Sequence, residues 1–171
     1  MTPGPPSAEA AEELDALRAA LAGEVDEEVV SAQWFRPPGW GSALKGLVRG
    51  LGRLVPGPKE PQRQLRAMNV MALTPTRVVA YRLRTGAGGM SAGRKVAEWP
   101  VAEVSIGAKQ HEVSGTKTDM SPAHGPSHWS ADMTLVALRG RGGQPLLLEG
   151  DFPRSALTRH LVESVREAAG A

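Results

Sequence analysis

The sequence predicts a mainly β, α+β domain in which about seven antiparallel strands are covered by a C-terminal helix and preceded by a short N-terminal one. Three observations carry this. Between Arg66 and Glu149, short apolar runs alternate with polar residues at period two and are punctuated by Pro, Gly and Thr turns. After Asp151 the pattern switches to an apolar stripe of helical period. The chain has 171 residues and no cysteine, is 41% hydrophobic, and contains only two Phe and one Tyr, so one aliphatic core forms without disulfides.

Met1 to Ser7 is a Pro/Gly-rich tail that predicts disorder. Over Ala8 to Ala22, Leu14, Leu17 and Leu21 recur on one helical face, Glu9, Glu12 and Glu13 suit the positive end of the helix dipole, and Gly23 is a natural stop. Glu28 to Arg36 reads as a first strand ended by Pro37-Pro38-Gly39. Met68 to Leu73, a turn at Thr74-Pro75-Thr76, and Val79, Tyr81 and Leu83 on one face make a hairpin. Gly86 to Gly93 predicts a flexible loop, with Lys95 to Trp99 and Ala102 to Ala108 as further strands on either side of a bend at Pro100. Ala102, Val104, Ile106 and Ala108 share the inward face of the latter. Trp129 to Ala137 predicts a long strand, and Gly140 to Gly143 leads to a last one over Gln144 to Glu149. Asp151 as N-cap, Pro153 in the first turn, and the stripe Leu157, Leu161, Val165 and Ala168 define the closing helix.

Charge is distributed unevenly around a net +2. Residues 1 to 30 hold eight acids against Arg18, a balance of −7, whereas residues 31 to 66 hold seven bases against Glu60, a balance of +6. The basic block contains the most informative stretch, Trp40 to Val55. Laid on a helix, its residues Trp40, Leu44, Leu47, Val48, Leu51, Leu54 and Val55 fall within an arc of about 120°, and Lys45, Arg49 and Arg53 stand opposite at i, i+4, i+8. Such a segment suits a helix lying on an anionic membrane surface, and equally one docked on its own domain, a second copy or another protein. Gly41, Gly46, Gly50 and Gly52 each cost about 1 kcal/mol relative to Ala, so the helix needs a docking surface.

These features divide the chain into an acidic tail and helix over 1–24 and a domain over 25–169 with a basic amphipathic insertion at 38–60. The charge split also suggests that the acidic helix competes with an anionic partner for the basic face, so that deleting residues 1–24 would tighten binding to anionic vesicles.

The hairpin MALTPTRVVAYRL at 71–83, the segment EWPVAEVSIG at 98–107, and the closing strand and helix resemble bacterial pleckstrin-homology-like domains, including the GRAM-related kind. In that family an apolar-x-Thr strand end turns to an Arg that opens the next strand, and Leu73, Thr74 and Arg77 stand in those places. The resemblance implies a bent, seven-stranded antiparallel barrel closed by the C-terminal helix. It also implies non-enzymatic binding of lipids, peptides or further copies of the chain.

Other constellations point to no chemistry. In Gly88 to Lys95, GGMSAGRK, Arg94 and Lys95 occupy the places where a phosphate-binding loop requires Lys and Ser/Thr. His124 and His128, near Asp119 and Asp132, are separated by Pro and Gly and do not form a regular ligand array. His111 and His160 lack a companion nucleophile or paired carboxylate, so no catalytic, cofactor or metal residue is predicted. Fifteen of the twenty bases are Arg, but the aromatic-basic interleaving of single-strand nucleic-acid readers is missing. No basic n-region and apolar core of a cleaved signal, and no span-length apolar run, is present. The expectation is a cytoplasmic binding module, peripheral at the inner membrane face or contacting a protein partner, with membrane or partner contact through Trp40, Leu44, Lys45, Leu47, Arg49, Leu51, Arg53 and Leu54. The competing expectation is a self-assembling or peptide-binding scaffold with no lipid role.

Overall fold

The computed structural model describes residues 7–38, 61–117, 127–150 and 155–170. Helix α1 (Ala8–Leu21) is followed by β1 (Ser31–Phe35), the single turn α2 (Pro61–Gln64), β2 (Asn69–Leu73), β3 (Arg77–Gly86) and β4 (Gly89–Pro100). A 3₁₀ turn (Val101–Glu103) then leads to β5 (Val104–Lys117), β6 (Ser127–Gly140), β7 (Leu146–Gly150) and helix α3 (Ser155–Gly170). The strands form two antiparallel sheets, β1-β2-β3-β4 and β5-β6-β7. Neither sheet closes on itself. They meet on one side through the 3₁₀ turn, and on the other through Arg36 and Glu149, whose backbones exchange hydrogen bonds of 2.8 and 2.7 Å.

The first sheet is covered on both faces. Toward α1 it presents Ala32, Val70, Ala72, Val79, Tyr81 and Leu83, which pack with Leu14, Leu17 and Leu21. Toward the second sheet it presents Met71, Leu73, Val78 and Ala80, which pack with Val104, Val136, Leu138, Leu146 and Leu148. All five residues of β2 are therefore buried, which accounts for its unbroken apolar run. The stripe of α3 serves both clusters: Leu157 joins the α1 side, while Leu161 and Val165 join the space between the sheets.

Local chemistry fixes the element ends. Ser7 caps α1 by accepting from the Ala10 N–H at 3.4 Å. The Thr74 hydroxyl accepts from the Arg77 N–H and reaches the Arg77 carbonyl, both at 3.1 Å, so the Leu73-Thr74 to Arg77 pattern is a turn lock. Asn69 bridges the Arg66 N–H (2.9 Å) and carbonyl (2.7 Å) and turns the chain into β2. Gln62 does similar work on β7: its amide accepts from the Leu147 N–H at 2.7 Å and donates to the Leu147 carbonyl at 3.1 Å, completing the strand edge like a ladder rung.

Several elements differ from the sequence expectation. The first strand begins at Ser31 rather than Glu28. Gly86 to Gly93 is a hairpin and not a flexible loop: Gly86 pairs with Gly89 across Ala87-Gly88, and Gly89 at φ +95° supplies the left-handed geometry this tight turn needs. Ala102 lies exposed in the 3₁₀ turn instead of in a strand. The next two strands extend well past Ala108 and start before Trp129, reaching Lys117 and Ser127.

Candidate functional site

The register of the first sheet gathers Asp26, Glu27 and Glu98 at one end and most of its arginines at the other, where Glu149 lies beside Arg36. At one end, Ser31, Leu73, Val78 and Trp99 align. Here Arg77 pairs with Asp26, with Glu27 at 2.7 Å and with Glu98 at 2.7 Å, and Lys95 pairs with Glu98. Hydrogen bonds from Thr76 hold the Glu27 carboxyl below its ordinary pKa, and those from Lys95 and then Arg77 do the same for Glu98. This cluster ties the α1–β1 connection to β3 and β4.

At the other end, Phe35, Asn69 and Arg82 align. Arg36 follows β1, Arg63 stands exposed on α2, Arg66 precedes β2, and Arg84 and Arg94 extend the end onto the β3–β4 hairpin. Arg82 donates to the Gln64 carbonyl at 2.8 Å and so seats α2 beside them. The chain leaves this end after Pro38 and re-enters at Pro61. The eight residues singled out by sequence, Trp40, Leu44, Lys45, Leu47, Arg49, Leu51, Arg53 and Leu54, lie outside the described residues, as does His124.

A second basic feature was not anticipated. In β5, Ala108 and Gln110 share the inward parity of Val104 and Ile106 and pair with Val136 and Thr134. Yet both are exposed, because the core stops short of them. A groove of about 190 Å³ opens there between the inner face of β5–β6 and α3, with Ala108, Gln110 and Thr134 on the strand side and Arg159, Glu163 and Arg166 on the helix, while Lys109 has the opposite parity. The helix is fixed around this groove by three contacts. The Arg166 guanidinium donates to the Ile106 carbonyl at 3.3 Å, Gln33 donates to the Thr158 hydroxyl at 3.3 Å, and Ser31 Oγ lies 2.7 Å from His160 Nδ1. Among the described residues, Lys109, Arg159, Glu163 and Arg166 form no ion pair, although i, i+4 and i, i+3 spacing puts Glu163 within reach of both arginines. Inward parity at Ala108 was readable in the sequence, whereas the end of the core beneath it was not.

The remaining sequence candidates are dispersed. Arg94 and Lys95 belong to β4, so GGMSAGRK spans a hairpin turn and a strand. His128 pairs in register with Thr116, and His111 with Met133. Ser31, beside His160, is fully buried, which makes this pair a tie between β1 and α3. Among the described residues no metal-binding group of three or more His, Asp or Glu gathers, no helix is long and apolar enough to cross a membrane, and Val30, at 39%, is the only large hydrophobic residue exposed. No family model matches the chain, and the searches of curated proteins and of solved structures return no match.

Proposed function

We propose that the chain is a non-enzymatic pleckstrin-homology-like binding module, with its two sheets and α3 forming the open, bent barrel of that family. It makes reversible contact with an anionic membrane surface through the basic amphipathic segment 40–55 and the arginines around it, which makes it a cytoplasmic protein peripheral at the inner face. The observation supporting this reading is the arginine-rich end of the first sheet, from which the chain departs at Pro38 and to which it returns at Pro61. A segment carrying Lys45, Arg49 and Arg53 thereby starts and finishes among Arg36, Arg63, Arg66 and Arg82, and the acids Asp26, Glu27 and Glu98 are held at the opposite end by Arg77 and Lys95. Attraction to the surface comes from the summed charge, and adsorption from the apolar stripe.

Vesicle sedimentation tests it. Each cation near an anionic surface contributes about 1 kcal/mol, so Lys45/Arg49/Arg53→Glu weakens binding to phosphatidylglycerol vesicles by at least roughly a hundredfold, and added salt weakens the wild type. Equal binding by both proteins, or binding indifferent to salt, removes the membrane reading.

One observation favours a self-assembling or peptide-binding scaffold instead. Among the described strands, β5 pairs only with β6, which leaves its other edge without a strand partner over Val104–Lys117. Light scattering separates the two: on this reading, mass above the monomer persists at high salt.

A further inference from the structure

We propose that two copies of the chain pair antiparallel along the outer edges of their β5 strands, about a two-fold axis at His111. The pairing names the partner for the self-assembling reading above, on whose open edge it rests, and makes no use of segment 40–55. Among the described strands every other outer edge carries a block. On β1 the Gln33 side-chain carbonyl accepts from the Trp34 N–H at 2.9 Å, and Arg36 exchanges hydrogen bonds with Glu149 of β7. Gln62 occupies Leu147 further along β7. The pairing of β4 with β3 carries two register shifts, and β4 ends in Pro100. By contrast, β5 keeps one register with β6 over all 14 residues, without a shift or a proline.

The outward backbone groups of β5 belong to its even-numbered residues. Alternate residues of an antiparallel strand direct N–H and C=O to the same side, and the Ile106 carbonyl faces away from β6 to accept from Arg166 at 3.3 Å. Beyond that one contact the edge is open over Ala108, Gln110, Glu112 and Ser114. One open edge per copy selects the occupant. A foreign strand would pass the exposed edge on to its own far side, whereas a second copy consumes both edges and closes the assembly. Register sets the centre. At His111, Ala108 meets Ser114 of the second copy and Gln110 meets Glu112. Centred one residue earlier, the ladder is cut short by Ile106, whose carbonyl Arg166 already holds, and centred one later, the two Glu112 stand opposite each other. Charge fits the same symmetry. Both copies of α3 lie antiparallel on one face of the joined sheet, and each presents Arg159, Glu163 and Arg166 at exposed positions. An acid between two bases matches its own antiparallel copy, with Glu163 of one against an arginine of the other.

Cysteine crosslinking of the full chain is the test, and because the sequence holds no cysteine each introduced thiol is the only one. Across the axis the two His111 Cα atoms form a non-hydrogen-bonded pair about 4.5 Å apart, within disulfide reach, whereas the two Lys109 Cα atoms stand roughly 14 Å apart. Under mild oxidation His111→Cys is expected to give about tenfold more crosslinked dimer than Lys109→Cys, a contrast set by that geometry. Sedimentation equilibrium of the wild type should return twice the chain mass at high salt. Gln110→Pro, at an exposed position, removes one outward N–H while sparing the β5–β6 ladder and returns the mass to that of the monomer. Adding Lys45/Arg49/Arg53→Glu to His111→Cys leaves the crosslink in place, which separates this result from the membrane contact, and its loss would assign assembly to segment 40–55. A monomeric wild type overturns both the pairing and self-assembly. Mass above the monomer with equal crosslinking at positions 109 and 111 keeps self-assembly and overturns this interface.

Discussion

Leu17→Ala tests whether the N-terminal helix is part of the folded body. Leu17 has no exposed surface and packs at the centre of α1's contact with Val70, Ala72, Val79 and Leu83, where strand backbone on the far side cannot move in to fill a void. Leu→Ala substitutions at such sites cost about 2–5 kcal/mol, and this position belongs near 3 kcal/mol or above. For a chain of this size that corresponds to a fall in thermal midpoint of roughly 6–12 °C. Urea denaturation should show the same loss as a lower midpoint at unchanged slope. Ala16→Gln, on the exposed face of the same helix, is the control and should shift stability by no more than about 0.5 kcal/mol. Equal midpoints for the two variants would refute the packing of α1 on the sheet. The same reasoning changes how the acidic helix is examined. Deleting residues 1–24 removes Leu14, Leu17 and Leu21, each worth about 1.5–3 kcal/mol of burial, against a total stability of about 5–15 kcal/mol. Any electrostatic competition with an anionic partner is therefore read from Glu12→Gln and Glu24→Gln at exposed positions, not from truncation.

Acidification should weaken the α1–β1 connection. Because the Glu27 and Glu98 carboxyls titrate below 4.5 in the folded chain, the unfolded chain binds more protons in that window, and their contribution, complete above it, is lost as pH falls from 4.5 toward the folded values. Glu98→Gln should shrink the drop in thermal midpoint between neutral pH and about pH 3, and an unchanged drop would count against the cluster. Gly140 abuts the indole of Trp99, so Gly140→Ala forces the ring aside at a cost of about 1–3 kcal/mol, whereas Gly107→Ala, which meets open space, should leave the near-ultraviolet dichroism and the midpoint unaltered.

The parts of this fold legible in the sequence are those where one local signal decided the outcome. Leu14, Leu17 and Leu21 mark the face of α1, Thr74 marks its turn, and Leu157, Leu161 and Val165 mark the buried side of α3, because helical period and turn chemistry act over a few residues. The misreadings share a different cause. Gly89 to Arg94 has almost no β-forming side chains, and its place in β4 follows from pairing with β3, a tertiary contact that overrides propensity. His111 to Lys117 looks like loop composition, yet continues β5 because Ser127 to Met133 offers it a ladder. The groove beside α3 was hidden for a related reason: Ala108 and Arg166 are far apart in sequence, and nothing local announces that the core ends before Ala108.

The enclosure of β2 on both sides has a practical consequence for anyone wishing to alter or label this molecule. Asn69, Val70, Met71, Ala72 and Leu73 offer no position at which a dye, a crosslinker or a polar substituent can be carried outward, so saturation libraries over this stretch should return a nearly blank column. Ala87 and Gly88, exposed at the tip of the neighbouring hairpin, are where foreign groups can be grafted while the rest of the chain keeps its shape.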